Sequence, residues 1–271
     1  MKYSQSLANL TIGAILSVII ALTATIALAQ QEGEYGDAPE GALAYPTTGV
    51  VGSFPTCTSI GPAAFIYHYP SPFQFFGPMK DFEIDGNAGA CPGFTRYDMD
   101  ECFMDGDAGL MIPGSFTIVA ASVVPCPGSP GGAIGPICTP GMWGPSLDIF
   151  VVNTHPEPAY VNVLLDWNQD GMWAPSVQGG CAAPEHILMD FPIPPAFAGP
   201  LSALLPPGFM VGGNPGHVWS RFTVTNYPIG IPNWDGAGQF EDGETEDYLL
   251  LVDSVVPTED TTWDSLKSYY R

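Results

Sequence analysis

Glycine and proline set the strongest limit on what this chain can fold into. Its 271 residues include 32 Gly and 29 Pro, which together make up about a fifth of the chain. Glycine favours turns and proline interrupts helices, and no stretch before residue 257 has a convincing helical period. Apolar residues make up 46% of the chain, enough to bury a sizeable core. We therefore predict a single all-β domain with many turns.

Six segments have the β-branched and aromatic content of strands, and Pro or Gly clusters separate them. They are Ser115–Val124, Ser146–Asn153, Ala159–Asp166, His186–Phe191, His217–Asn226 and Asp247–Asp253. Short strands alternating with turn residues predict a β-sandwich or jelly-roll-like domain with long Pro/Gly-rich loops. Residues 33–114 are less regular, and we predict loops with a few edge strands there.

The first 29 residues have the features of a secretory signal peptide. Lys2 precedes a long apolar run, and the run is followed by small residues that end at Ala29, which is the expected cleavage site before Gln30. An uncleaved membrane anchor is the alternative, because the run is long. Cleavage predicts a domain over residues 30–256 and a C-terminal tail over 257–271. The expected location is extracellular, at the cell surface or in the periplasm, with no membrane contact after cleavage.

The charge of the chain excludes two classes of partner. There are 28 Asp and Glu residues against 6 Lys and Arg residues, which gives a formal net charge of −22. Such a surface repels nucleic acid and anionic lipid. The expected partners are a surface protein, a glycan or further copies of the chain.

All six cysteines lie after the predicted signal peptide, and an even number in an exported chain predicts three disulfides. The expected pairs are Cys126–Cys138 across a Pro/Gly loop, Cys91–Cys102, and Cys57–Cys181, although the spacing leaves other pairings open. A paired C-x-x-C is missing, so zinc–thiolate sites are excluded.

The stretch GQFEDGETEDYLLLV places five carboxylates where a turn meets the last predicted strand. They are Glu241, Asp242, Glu244, Glu246 and Asp247. Like charges this close repel each other, so the sequence leaves two interpretations open. Either water screens the acids on an exposed rim, or a cation binds among them.

A second acidic motif resembles the first half of a calcium loop. Asp166, Asn168 and Asp170 alternate before Gly171, and such alternating oxygen ligands can converge on one ion. The twelfth position is Val177, which cannot ligate and excludes an EF-hand. We therefore expect Glu244, Glu246 or Asp247 to complete a Ca²⁺ site. The alternative is a hairpin turn in which Asp and Asn bond their own backbone.

Two further acidic stretches, residues 81–85 and 98–105, follow the same pattern and together make a second possible metal cluster. Each stretch is either a cation site or a solvated loop. Alternating acids on a strand would share one face. The residues of this second possible metal cluster are Asp81, Glu83, Asp85, Asp98, Asp100, Glu101 and Asp105.

Several of these motifs resemble the GEVED domain of secreted bacterial proteins. The ending Gly243–Tyr248 (GETEDY) is similar to the family's G-E-V-E-D-Y. Similar motifs occur in the same order at Tyr35–Pro39, Asp81–Gly86, Asp100–Gly106, Asp166–Gly171 and Trp219–Phe222. The resemblance implies an extracellular β-sandwich module of the kind that accompanies proteases and adhesins. It implies no catalytic activity.

Catalytic signatures are missing from the sequence: it has no G-x-S-x-G, no H-E-x-x-H and no phosphate loop. We therefore expect no enzyme, but a calcium-stabilised module for cell-surface binding, adhesion or extracellular assembly. The alternatives are a carbohydrate-binding module and a hydrolase with an unrecognised carboxylate pair. Tyr67, Tyr69, Phe73, Phe75 and Phe76 are either sugar-stacking rings or core residues.

Overall fold

The structure is a computed structural model that describes residues 32–58, 64–80, 82–86, 91, 102, 108–128, 132–173, 177–178 and 181–254. The predicted signal peptide and the tail from residue 257 lie outside this part of the chain. Within the described residues, no helix is long and apolar enough to cross a membrane.

The described residues form an all-β fold, as predicted. In chain order the first nine strands are β1 (Glu40–Tyr45), β2 (Val50–Ser53), β3 (Ile66–His68), β4 (Gln74–Phe76), β5 (Leu110–Ile112), β6 (Phe116–Val119), β7 (Ser122–Pro125), β8 (Pro140–Gly141) and β9 (Asp148–Asn153). The other nine are β10 (Ala159–Leu165), β11 (Val177–Gln178), β12 (Ala183–Pro184), β13 (His186–Ile193), β14 (Phe197–Pro200), β15 (Phe209–Met210), β16 (Gly216–Thr225), β17 (Gly238–Phe240) and β18 (Gly243–Val252). A 3₁₀ helix spans Leu201–Leu204.

Two sheets form the centre of the fold. The larger has the order β13-β10-β16-β18-β6-β7, and the smaller has the order β14-β9-β4 with β5 also paired to β9. Strands β16 and β18 pair over their full lengths, from Gly216 opposite Val252 to Thr225 opposite Gly243. Four shorter pairs surround this centre, including the parallel pair of β3 with β17.

The larger sheet is covered on both faces. One face packs on the smaller sheet through residues such as Phe222, Tyr248 and Ile149. The other face packs on the N-terminal segment, residues 32–58, through residues such as Trp219 and Phe54. Because successive side chains of a strand point to opposite faces, every residue of β16 from Val218 onward is buried.

One predicted strand is a hairpin. Ser115–Val124 divides into β6 and β7, which pair around Ala120 and Ala121. Both alanines have positive φ, 47° and 62°. A two-residue hairpin turn requires this conformation and usually has Asn or Gly there. Without those residues the sequence has no turn signal, and for this reason the prediction missed the turn.

The prediction of three disulfides is confirmed, but all three predicted pairings are wrong. The observed pairs are Cys57–Cys91, Cys102–Cys126 and Cys138–Cys181. The predicted local bridge fails because residues 134–137 run along the end of β18, where the N–H of Ile137 donates to the carbonyl of Asp253. Cys138 thereby lies beside Gly212 instead of near Cys126.

Candidate functional site

Most of the acidic stretch before the last strand is buried. Glu241 is exposed, whereas Asp242, Glu244, Glu246 and Asp247 are buried. The exposed-rim interpretation is therefore wrong for these four acids. Asp242 directly precedes β18 and the other three lie in its first half, and both faces of that strand are covered by other parts of the chain.

Asp247 forms a buried ion pair with Arg221 on the neighbouring strand. The Nε and Nη2 atoms of Arg221 donate to the two carboxylate oxygens at 2.8 and 2.6 Å. The backbone N–H groups of Asp37 and Ala38 donate to Oδ2 at 2.9 and 2.8 Å. The acid therefore fixes the N-terminal segment against the sheet, and it has no free side for a cation.

The remaining donors of Arg221 bind the loops that cover it. Its Nη1 donates to the carbonyls of Pro55 and Gly236 at 2.7 and 2.8 Å, and Nη2 reaches Thr56 Oγ1 at 3.3 Å. The guanidinium carbon lies 4.4 Å from the ring centre of Trp173. These contacts satisfy a cation that would otherwise be costly to bury.

Glu244 and Glu246 lie under the smaller sheet. The backbone N–H of Phe76, on the outer edge of β4, donates to the Glu244 carboxylate. The Tyr248 hydroxyl donates to Glu246 at 2.8 Å and accepts from the N–H of Gly109 at 2.9 Å. Burial beside Glu246 raises the pKa of Tyr248 well above its usual value. Both acids thus bond neighbouring strands and loops.

The turn at Gly243 is held by a buried histidine and a lysine. The His68 ring contacts the Asp242 carbonyl at 3.2 Å and Thr245 Oγ1 at 2.9 Å. Burial, and then the nearby Lys80, lower the pKa of His68 well below its usual value. The Lys80 ammonium donates to the Gly243 carbonyl. The imidazole is therefore neutral, as a structural histidine.

The Asp166–Gly171 loop has the hydrogen bonds of a tight turn. Asp166 is buried, and its oxygens accept from Tyr45 Oη at 2.8 Å and from the N–H groups of Gly171 and Asp170 at 2.9 and 3.2 Å. Burial is the largest influence on its carboxyl and raises the pKa of Asp166 to about 7. Asn168 Oδ1 also accepts from the Asp170 N–H, at 2.9 Å.

The number of unused acceptor positions in this loop determines whether it can bind a calcium ion. A carboxylate has about four acceptor positions, and Asp166 already uses three of them. Asp170 is exposed and accepts two hydrogen bonds, from the Met172 N–H and from Asn168. Each of the three predicted side chains therefore retains acceptor capacity. Three ligands fit only a partly hydrated site, because Ca²⁺ takes six to eight oxygens.

The structure does not bring this loop and Glu244 together. The N–H of Asp166 bonds to the carbonyl of Trp219, whereas Glu244 pairs with Val224. Those two β16 residues are five positions apart, about 17 Å at roughly 3.4 Å per residue. The loop and Glu244 lie at opposite ends of the sheet. Nowhere in the described part of the chain are three His, Cys, Asp or Glu side chains placed to hold a metal ion.

The described acids of the second predicted cluster also bond protein donors. Glu83 accepts from the N–H of Tyr35 at 2.7 Å. Asp85 accepts from the N–H and hydroxyl of Thr58 at 2.7 and 3.1 Å. The remaining members lie outside the described residues: Asp81, Asp98, Asp100, Glu101 and Asp105.

Three exposed aromatic rings lie at the same end of the sheet as Glu244. We call this end the aromatic end. Tyr69, Phe73 and Tyr227 are 42%, 44% and 42% exposed. The N–H of Tyr69 donates to the Phe240 carbonyl at 2.9 Å, and the Tyr227 ring lies 5.8 Å from the Phe240 ring. The rings come from two loops, Tyr69 and Phe73 from the loop between β3 and β4 and Tyr227 from the loop after β16. The sequence prediction included Tyr69 and Phe73 but missed Tyr227. The one sequence feature that could have indicated Tyr227 is its position as an isolated aromatic residue directly after a predicted strand.

Of the other predicted sugar-stacking residues, Tyr67 and Phe76 are buried and Phe75 is half-buried. Phe73 packs edge-on against His155 at 5.6 Å, and the N–H of Thr154 donates to the Phe73 carbonyl at 2.8 Å. The ring is therefore supported from below while much of its surface remains in solvent.

The chain matches no protein-family model, and no curated protein matches it. Its function is therefore inferred from the placement of its side chains. Two predicted regions retain exposed functional groups: the Asp166–Gly171 loop at one end of the sheet and the aromatic end at the other.

Replacing Asp247 by Asn should lower the free energy of unfolding by roughly 3–5 kcal/mol, because the buried Arg221 charge loses its counter-ion. Urea unfolding of the oxidised protein measures this loss. Glu241→Gln is the matched control, since it makes the same chemical change at an exposed site and should stay within about 0.5 kcal/mol of the parent. Equal effects of the two substitutions would contradict the burial of this acid.

Asp166 should make stability depend on pH. Its folded pKa of about 7 lies above the ordinary value of 3.8, so the folded state binds this proton more tightly than the unfolded state does. The contribution is fully present below about pH 4 and is lost as the pH rises to about 7, a change of roughly 4 kcal/mol. The parent should therefore lose stability relative to Asp166→Asn over this range. A constant difference between the two proteins, measured by urea unfolding at each pH, would refute the assignment.

Proposed function

We propose that this chain is a secreted, disulfide-bonded β-sandwich module that binds at a cell surface or in an extracellular assembly. The aromatic end is the observation that carries the proposal. Soluble proteins bury most aromatic area, and exposed rings grouped on loops at one end of a sandwich are typical of recognition surfaces. The three disulfides support an oxidising location, and the resemblance to the GEVED domain supports an extracellular module.

A binding role also agrees with the chemistry of the acids. The hydrolase alternative needs two carboxyl groups that a substrate can reach. Glu244 and Glu246 share one face of β18, but both are buried and bonded to protein donors. They therefore give a hydrolase no support. A rigid scaffold with an exposed aromatic surface is better suited to binding than to catalysis.

The purified, oxidised chain should bind saturably to intact cells or isolated envelopes of the organism that produces it. Fluorescent labelling and sedimentation with the cells measure this binding. Reduced and alkylated protein is the control for the folded state, and mass spectrometry should find Gln30 at the N-terminus and no free thiol. The proposal fails if folded protein binds neither the cell surface nor further copies of itself in analytical ultracentrifugation.

We also propose that the Asp166–Gly171 loop binds Ca²⁺ weakly, with a dissociation constant on the order of 10⁻⁴ to 10⁻³ M. Support comes from the acceptor capacity that Asp166, Asn168 and Asp170 retain. A hundredfold excess of calcium over that constant would stabilise the protein by about 2.7 kcal/mol.

Calcium should therefore raise the melting temperature by several degrees, and Asp170→Ala should abolish this shift. Glu244→Ala should lower the melting temperature but leave the calcium shift intact, because that residue lies at the other end of the sheet. Differential scanning calorimetry with and without CaCl₂ measures both effects. An unchanged melting temperature in the parent protein would exclude calcium binding.

A further inference from the structure

The aromatic end combines rings with a fixed backbone. Tyr69 and Phe73 are the first and last residues of a five-residue loop that contains Pro70 and Pro72. Proline fixes φ and removes conformational freedom before any ligand binds. Two main-chain hydrogen bonds anchor the loop, one at each end, from Tyr69 to Phe240 and from Thr154 to Phe73. The rings are therefore presented in a largely preformed arrangement.

The third ring of this surface is Tyr227, from the loop after β16. Tyr227 lies two residues after the end of β16, and its hydroxyl donates to the Gln239 carbonyl at 3.2 Å. Glu241 directly follows Phe240, whose ring lies 5.8 Å from the Tyr227 ring. Burial, and then the carboxylate of Glu241, raise the pKa of Tyr227. Gln239 and Glu241 are both exposed. The surface thus offers apolar ring faces beside amide and carboxylate acceptors.

The lysine and arginine side chains of the described residues are not available to bind an anionic ligand. The described part of the chain contains two lysine or arginine side chains, Lys80 and Arg221. Lys80 donates to the Gly243 carbonyl, and Arg221 is buried against Asp247. A ligand for the aromatic end must therefore be neutral or cationic.

We propose that the aromatic end binds a neutral polysaccharide of pyranose sugars, an inference that rests on the proposed binding function. The flat C–H faces of pyranose rings stack on aromatic rings, which present an apolar body with a polar tip. Sugar hydroxyls donate hydrogen bonds, and Glu241 and Gln239 provide exposed acceptors for them. A neutral sugar matches both halves of this surface. A basic peptide would match the carboxylates and leave much of the ring area without a flat partner.

Pull-down of the full oxidised chain on microcrystalline cellulose and on chitin tests the proposal. Binding to at least one of these polymers is expected, and it should persist in about 1 M NaCl, because stacking is not screened by salt. Tyr69→Ala, Phe73→Ala and Tyr227→Ala should each weaken the affinity roughly tenfold. Tyr69→Phe should retain most of it, since the stacking ring remains.

Met172→Ala is the matched control, because Met172 is also 42% exposed but lies beside the Asp166–Gly171 loop at the opposite end of the sheet. It should bind as the parent does, and unchanged melting temperatures should show that the ring variants are folded. Failure to bind either polymer overturns the proposal, as does equal binding by the parent and the ring variants. Loss of binding in high salt also overturns it and favours an electrostatic ligand. Cell-surface binding without polysaccharide binding would reject this site assignment and leave the proposed function standing.

Discussion

The ion pair between Arg221 and Asp247 is the interaction on which the rest of the structure depends. It lies between the two longest strands, and the N-terminal segment and the loops around Pro55 and Gly236 are bonded to it. A buried pair stabilises a protein only when its remaining donors and acceptors are also satisfied. Here backbone groups from distant loops satisfy them, so the pair forms completely only when those loops are in place.

The same principle explains how such an acidic chain can bury so many carboxylates. Long irregular segments have backbone N–H groups that no sheet ladder satisfies, and buried N–H groups need acceptors. Glu244 supplies one at the edge of β4, Asp85 supplies one at Thr58, and Asp166 supplies two in its own loop. Part of the acidity is therefore internal scaffolding, and it does not contribute to an exposed charged surface.

This scaffolding leaves the two ends of the sheet with different chemistry. One end has the Asp166–Gly171 turn, whose exposed groups are a carboxylate and an amide. The other has aromatic loops supported by His68 and Phe240, whose rings stack at 5.1 Å. Loops at the end of a rigid sandwich can vary without disturbing the core, which is why binding surfaces commonly occur there.

The sequence by itself determined the all-β class, the positions of most central strands and the bonding of all six cysteines, because turn residues and alternating apolar residues act over short distances. The tertiary structure alone decided the disulfide partners, the burial of the acids and the grouping of Tyr227 with Tyr69. Asp247 shows the reason. The acids clustered around it left a solvated rim and a cation site both open, but a segment 210 residues earlier covers this part of the strand. No local sequence pattern can predict a contact between residues so far apart in the chain.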